Sequence, residues 1–474
     1  PSAWLARKDA FSFGRAGFEV RTRRLCRGVR VVHRLGGQKL LVSRTELTYN
    51  TDLAAAMLTK VEHVGIGDDC SELRAPAREF IYEAYGMKPT ARALPAFEGL
   101  DLSKKKTNAE FIDLDGRATA GLLVRHMGQF DYHRCVDAES NAPPQRLAFG
   151  ASASNSQDAH RQRFFDLDLD GRPALVELGP GGTGQVWERN ADDDGWKAGA
   201  ALPSVPPEAD FDEETGFPRV LWGDLDGDGR TDALVVQAQG EAPTVWRFEG
   251  PARGWEPVDT PPMPGGAGAV LDDPDACVLL VDLSGDGLPD LVHVDHGALT
   301  VWPGLGHGSF GEAVSMGFPV ASLPTRDGLQ GPAVDPRRIR AFDIDGIGGA
   351  DLLILEDGQA RVLVQQDGAF TDIHELFPIP PFEELGLCSL CRIEGRGTGS
   401  FVFAKKEASA TVTAVDFFPG AQGDIRQYVL GAEVGGIGLQ TYFTYRPSTA
   451  LEPSPEDASP IARLPRCVPV VTEV

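Results

Sequence analysis

Short runs of alternating apolar and polar residues recur along the chain, separated by turns rich in Gly and Asp. Alternation with a period of two puts successive side chains on opposite faces of a strand. The Gly and Asp punctuation reads as hairpin turns. One short run, DLAAAMLT at 52–59, reads instead as a helix. Between 107 and 420 the pattern becomes a repeat. Its core is Asp-x-Asp-Gly-Asp-Gly-x-x-Asp followed by an apolar pair. The fullest copy runs from Asp224 through Asp226 and Asp228 to Asp232, and the next holds Asp282, Ser284, Asp286 and Asp290. Weaker copies start at Asp113, Asp166 and Asp343, and a sixth, at Arg392, has lost its acids. Consecutive starts lie 49 to 61 residues apart.

Each unit also repeats its aromatic positions. About 20 residues after the start stands Trp187, Trp246, Trp302 or Leu363. Seven to nine residues further on stands Trp196, Trp255, Phe310 or Phe370. Each unit therefore holds about four strands, the pattern of a propeller blade. One such sheet cannot bury both faces alone, whereas a ring of them can. Six units across 107–420 predict a six-bladed β-propeller. The flanks, 1–106 and 421–474, carry longer alternating stretches without the acidic repeat, among them FEVRTRRLCRGVRVVH and QYVLGAEVGGIGLQTYFTYR. The segment DLSKKKTN at 101–108 reads as a linker into the first blade, and the Pro/Ser-rich 447–460 as a loop. The expected fold is all-β: a six-bladed propeller inserted into a partial β-sheet shell.

Composition agrees. Gly and Pro make up 90 of 474 residues, about 19% against a usual ~12%, which tells against a helical bundle. The net charge of −24 argues against nucleic acid or an anionic membrane as the main partner. Residues 1–45 nevertheless carry eleven Lys and Arg against two acids; these suit the neutralisation of acidic neighbours. No apolar run reaches 18 residues, so no membrane-spanning helix is expected. Seven cysteines are too few and too scattered for a disulfide scaffold. Cys388 and Cys391 sit in a strand-like run, where residues three apart face opposite ways.

The acidic turns carry the candidate chemistry. Asp224, Asp226, Asp228 and Asp232, with the backbone carbonyl of Arg230, offer five oxygens around one tight loop. Asp282, Ser284, Asp286 and Asp290, with the carbonyl of Leu288, repeat the arrangement. Hard oxygen donors in that number suit Ca2+. The alternative is that Asp-Gly here builds turns and nothing more. The fifth turn has Ile347 at position five and the second has Ala174 at position nine, which weakens both as cation loops. Gly179 to Gly184 satisfies G-x-G-x-x-G but lies between two strands, so it reads as a hairpin turn and not as a phosphate cradle. His293 and His296 sit three apart in a probable strand and diverge. No G-x-S-x-G, H-E-x-x-H or G-K-[ST] occurs. No enzymatic activity is expected.

Longer motifs flank the repeats: GFEVRTRRLC at 17–26, RTELTY at 44–49, WPGLGHGSFG at 302–311, DPRRIRAFDIDG at 335–346, YRPST at 445–449 and ARLPRCVPVV at 462–471. With these in order, the chain resembles the B component of bacterial Tc (toxin complex) insecticidal toxins, in its TcdB-type region with FG-GAP/VCBS-like repeats. The resemblance implies a hollow β shell, formed with a C-type RHS subunit, that encloses a toxic polypeptide. It implies that the propeller docks on an A-type channel-forming subunit and gates release of the cargo. It also implies a secreted toxin complex. The SpvB-like region that precedes this segment in the family, and the YD/RHS repeats that follow, are expected to lie outside the chain, which reads as a piece of a longer protein. A competing reading is an FG-GAP adhesion propeller with calcium-stabilised loops.

Overall fold

A computed structural model describes residues 20–51, 56–83, 86–97, 99–104, 107–126, 129–134, 145–149, 161–190, 195–211, 218–237, 240–259, 261–320, 323–325, 333–366, 369–376, 378–393, 397–418, 429–448 and 468–474. The fold is all-β, and its main body is a six-bladed propeller. Five blades take their four strands in chain order. Blade 1 lies within 107–149, blade 2 within 162–202, blade 3 within 219–258, blade 4 within 278–316 and blade 5 within 339–376. The first strands of blades 3 and 4, 5 and 6, and 6 and 1 touch, so they stand around the axis.

Blade 6 is built differently. Leu385–Cys391, Ser400–Lys405 and Thr413–Asp416 supply three strands, and the fourth is Thr90–Ala93 from before blade 1. It pairs antiparallel from Thr413↔Ala93 to Asp416↔Thr90. The repeat pattern leaves 90–93 in the N-terminal flank; the pairing puts it in the ring.

Six apolar clusters fill the six joints. Leu123, Tyr132, Trp187 and Trp196 join blades 1 and 2. Phe165, Val176, Phe248 and Trp255 join blades 2 and 3. Leu234, Val245, Leu291 and Trp302 join 3 and 4. Val292, Leu299, Leu352 and Phe370 join 4 and 5. Leu353, Val362, Phe401 and Val415 join 5 and 6. The last joint, between 6 and 1, buries Leu94, Phe97, Leu100 and Leu102 against Leu122 and Val402. Each sheet thus buries both faces against its neighbours, which no isolated blade could do. The aromatic positions of the repeat do this work: Trp187, Trp196, Trp255, Trp302 and Phe370 are all buried.

The flanks form a second sheet. Gly28–Leu35, Gln38–Asn50, Met57–Ile66 and Arg78–Glu83 are joined by Val429–Val434 and Gln440–Tyr442, with Glu72–Arg74 alongside Met57–Ile66. Segments on both sides of the propeller therefore share one layer, through the pairing of Arg78–Glu83 with Val429–Val434. The chain enters and leaves the ring at one place, where Lys88 N–H donates to the Phe417 carbonyl (2.8 Å). The helix expected at 52–59 is not formed at its C-terminal end. Met57 pairs with Asn50 and opens a strand; residues 52–55 lie outside the described residues. The loop expected at 447–460 falls largely outside them too, from 449 onward. The final strand is Pro469–Glu473, paired with Thr444–Pro447.

Candidate functional site

Each acidic turn follows the first strand of its blade, so the turns gather at one end of the ring. The turn of blade 3 shows the local logic. Gly227 and Gly229 stand at φ +80° and +90°, a region that favours glycine, and fold the loop back on itself. Asp224 Oδ1 then accepts from the N–H groups of Gly227 (2.7 Å) and Asp228 (3.1 Å), and Oδ2 from Gly229 (2.8 Å). In blade 4, Asp282 takes Gly285, Asp286 and Gly287 in the same way.

The ninth Asp has a different task. Asp232 is buried; Oδ2 accepts from Leu225 N–H (3.1 Å) and Oδ1 from Phe248 N–H (3.0 Å) at the end of the third strand. Asp290 Oδ2 takes Leu283 and Ser284 N–H (both 2.9 Å), and Oδ1 takes Gly304 (2.8 Å). Asp351 takes Ile344 (3.0 Å) and Gln365 (2.9 Å). The ninth carboxylate is thus a brace between the turn and a distant strand. Blade 1 has Gly121 at this position, and Tyr132 fills it. The Tyr132 hydroxyl accepts from Leu114 N–H (3.4 Å) and donates to the Ile112 carbonyl (3.3 Å). In blade 6 Ser400 stands there and donates to Asp416 (2.7 Å).

As a cation loop, blade 3 gathers three of its predicted donors. Carboxylate oxygens of Asp224, Asp226 and Asp232 lie within 4.8 Å of one another. Asp228 is exposed and pairs with Arg230 (3.2 Å), whose Nε reaches across to the Leu167 carbonyl of blade 2. Arg247 stands 4.0 Å from Asp226. Among the described residues the other such group is Asp166, Asp168 and Asp170 in blade 2, although Ala174 stands at position nine of that turn. The blade 4 turn does not bring Asp282, Asp286 and Asp290 within that reach. There Ser284 is exposed, Leu288 is buried, and Leu288 N–H is spent on Asp286 (2.9 Å).

Burial raises several of these carboxyls. Asp232 and Asp290 are each pushed up to about 7, and Asp282 to about 6. Burial likewise raises Asp224 and Asp226. A folded-state value above the unfolded one means that the folded chain binds protons more tightly. The corresponding stability is full below pH ~4 and is lost as pH rises through ~7. With EGTA present, the melting temperature is expected to fall between pH 4.5 and 7.5. A melting temperature rising over that window would show that these groups fold ionised.

The remaining candidates behave as structure. Gly179 to Gly184 is the turn between Ala174–Leu178 and Gly184–Arg189. His293 lies within Asp290–Asp295, whereas His296 follows it and accepts from Leu323 N–H (3.0 Å). Cys388 and Cys391 stand in one strand, Leu385–Cys391, and burial pushes Cys388 up to about 11.

The comparisons with known proteins bear on the whole architecture. A Tc holotoxin pore from Photorhabdus luminescens superposes on 95% of the chain with a TM-score of 0.71 and 24% identity. The chain has the fold of the Tc toxins. The TcdB2-TccC3 structure covers 99% at a TM-score of 0.60 and 21% identity. The chain spans 20% and 22% of the lengths of those two Tc chains. The profile of the family described as Salmonella virulence plasmid 65kDa B protein matches residues 1–35. The SpvB-like region, expected upstream of the chain, therefore reaches into it. No curated protein matches by sequence. The Tc likeness agrees with the motifs that flank the acidic repeat, and a bare acidic repeat would not have carried it.

Proposed function

We propose that the chain is the propeller and adjoining wall of a Tc-type B component, a non-enzymatic part of a secreted toxin complex. In this reading the propeller docks on an A-type channel-forming subunit and gates release of a polypeptide enclosed with a C-type RHS subunit. The observation that carries it is the Tc fold over 95% of the chain, ring and flanking sheet together. The crossing at Lys88 and Phe417 supports it, because a ring hung from one point of a wall presents its loops to a partner. The acidity of the chain favours a basic partner surface, whose attraction speeds encounter more than it deepens affinity.

Surface plasmon resonance against an A-type subunit tests this. A fragment spanning 86–418 is expected to bind, with an association rate that drops as salt rises past ~0.15 M, where the Debye length is about 8 Å. Binding that requires the sheet strands before residue 84 would move the contact to the wall and end the gate assignment.

A second reading rests on Asp224, Asp226 and Asp232: an adhesion propeller whose blade 3 turn holds Ca2+. At pH 7.5, calcium a hundredfold above its dissociation constant would stabilise by about 2.7 kcal/mol. The melting temperature should rise on adding calcium, and Asp226→Ala should abolish the rise. A chain indifferent to calcium leaves these acids as turn builders.

A further inference from the structure

Among the described residues the chain holds three pairs of adjacent basic residues, and they stand in different surroundings. Arg337 and Arg338 belong to the short helical turn Pro336–Arg338. Arg337 pairs with Asp335 (2.8 Å) and Arg338 with Asp357 (3.1 Å), and both guanidinium groups lie against the Phe382 ring. Lys405 ends the strand Ser400–Lys405 and pairs with Glu384 (3.1 Å), while Lys406 Nζ donates to the Glu383 carbonyl (3.1 Å). A protease engages neither pair without first freeing these partners.

The third pair, Arg23 and Arg24, stands in the segment 23–27, which belongs to no strand and precedes Gly28–Leu35. Arg21, Arg23 and Arg24 are exposed, as are Cys26 and Arg27. Beyond this point the chain is fastened. The Tyr49 hydroxyl donates to the Cys26 carbonyl (2.9 Å), and Leu47 N–H donates to the Arg27 carbonyl (3.0 Å). The ladder with Gln38–Asn50 then begins at Gly28↔Glu46.

An endoprotease takes its substrate as an extended strand, so exposed irregular chain is nicked before chain already held in a ladder or a folded turn. Arg-Thr-Arg-Arg at 21–24 also carries three guanidinium groups in four residues. Acidic subsites pair with such groups through charge-assisted hydrogen bonds, which are the strong ones. Arg24 would stand next to the broken bond, with Arg23 second and Arg21 fourth.

We propose that the Arg24–Leu25 bond is a processing site for a subtilisin-like endoprotease of the class that reads Arg-x-Lys/Arg-Arg. Water adds across the peptide bond, leaving a carboxylate on Arg24 and an ammonium on Leu25. The cut falls within residues 1–35, the SpvB-like part of the chain. It parts the residues before Leu25 from the sheet and the ring, while Gly28–Leu35 stays paired with Gln38–Asn50. Cleavage here does not depend on docking to an A-type subunit.

Incubation of the full chain with a purified convertase of this class, read by intact mass and N-terminal sequencing, tests the site. One large product beginning at Leu25 is expected. Arg24→Gln should abolish the cut. Arg21→Ala should abolish cutting by the convertase yet leave trypsin cutting within 23–27, which separates recognition of the four-residue motif from exposure alone. Both side chains are exposed, and an unchanged melting temperature shows that each variant folds. The proposal is overturned by a chain left whole at Arg24–Leu25 while a free VRTRRLC peptide is cut. A first cut after Arg338 or Lys406, or convertase cleavage indifferent to Arg21→Ala, overturns it as well.

Discussion

A fragment spanning residues 107–420 is expected to melt far below one spanning 86–418 and to lose its cooperative transition. The shorter piece keeps every acidic repeat but lacks Thr90–Ala93, the fourth strand of blade 6. It also lacks Leu94, Phe97, Leu100 and Leu102, which fill the joint between blades 6 and 1. Burying an aliphatic or aromatic side chain of this size contributes roughly 1.5–3 kcal/mol. Four of them amount to roughly 6–12 kcal/mol, as much as the whole stability of a typical domain. Truncation should therefore open the ring. Calorimetry of the two fragments side by side decides the matter, and equal melting temperatures would show that the closing strand is dispensable.

Asp290→Ala is expected to destabilise the chain by at least ~2 kcal/mol, whether or not calcium is present. The substitution strands three backbone N–H groups, those of Leu283, Ser284 and Gly304. The Leu283 and Gly304 donors are buried, and each left without a partner costs ~1–3 kcal/mol. Asp228→Ala is the matched control. Its carboxylate is exposed and pairs with Arg230, an arrangement worth about 0–1 kcal/mol. Denaturant titration in EGTA separates the two. If Asp290→Ala costs no more than Asp228→Ala, the ninth carboxylate is not a brace.

The six blades were legible in the sequence because each solves the same packing problem with the same residues. The Asp-Gly turns, the apolar pair and the two aromatic positions recur in register, so their period announces the ring. The closing strand was not legible. Thr90–Ala93 is TARA, a mostly exposed edge strand with no apolar alternation to betray it. The run at 52–59 misled for a related reason. Its alanines favour a helix, but Met57 is claimed by pairing with Asn50, and tertiary context overrides propensity. At the acidic turns, spacing alone could not separate a ligand from a brace. Asp232 and Asp290 hold equivalent places in the repeat, yet only the first lies within a three-carboxylate group. Tyr132 was beyond reach altogether. It takes over a carboxylate's acceptor role from a different strand, so no position-by-position reading of the repeat could find it.

The closing strand also sets an order of events during synthesis. Thr90–Ala93 leaves the ribosome about 320 residues before Thr413–Asp416, the strand it must pair with. At roughly 5–20 residues per second, that is a wait of about 15–65 s. Throughout it, blades 1 to 5 can form and stack, but the ring cannot close. The N-terminal strand and the apolar face that follows it stay uncovered, open to pairing with another nascent chain. Yield on expression should therefore depend on how quickly the last blade arrives, and slow codons between 377 and 412 would lengthen the exposure.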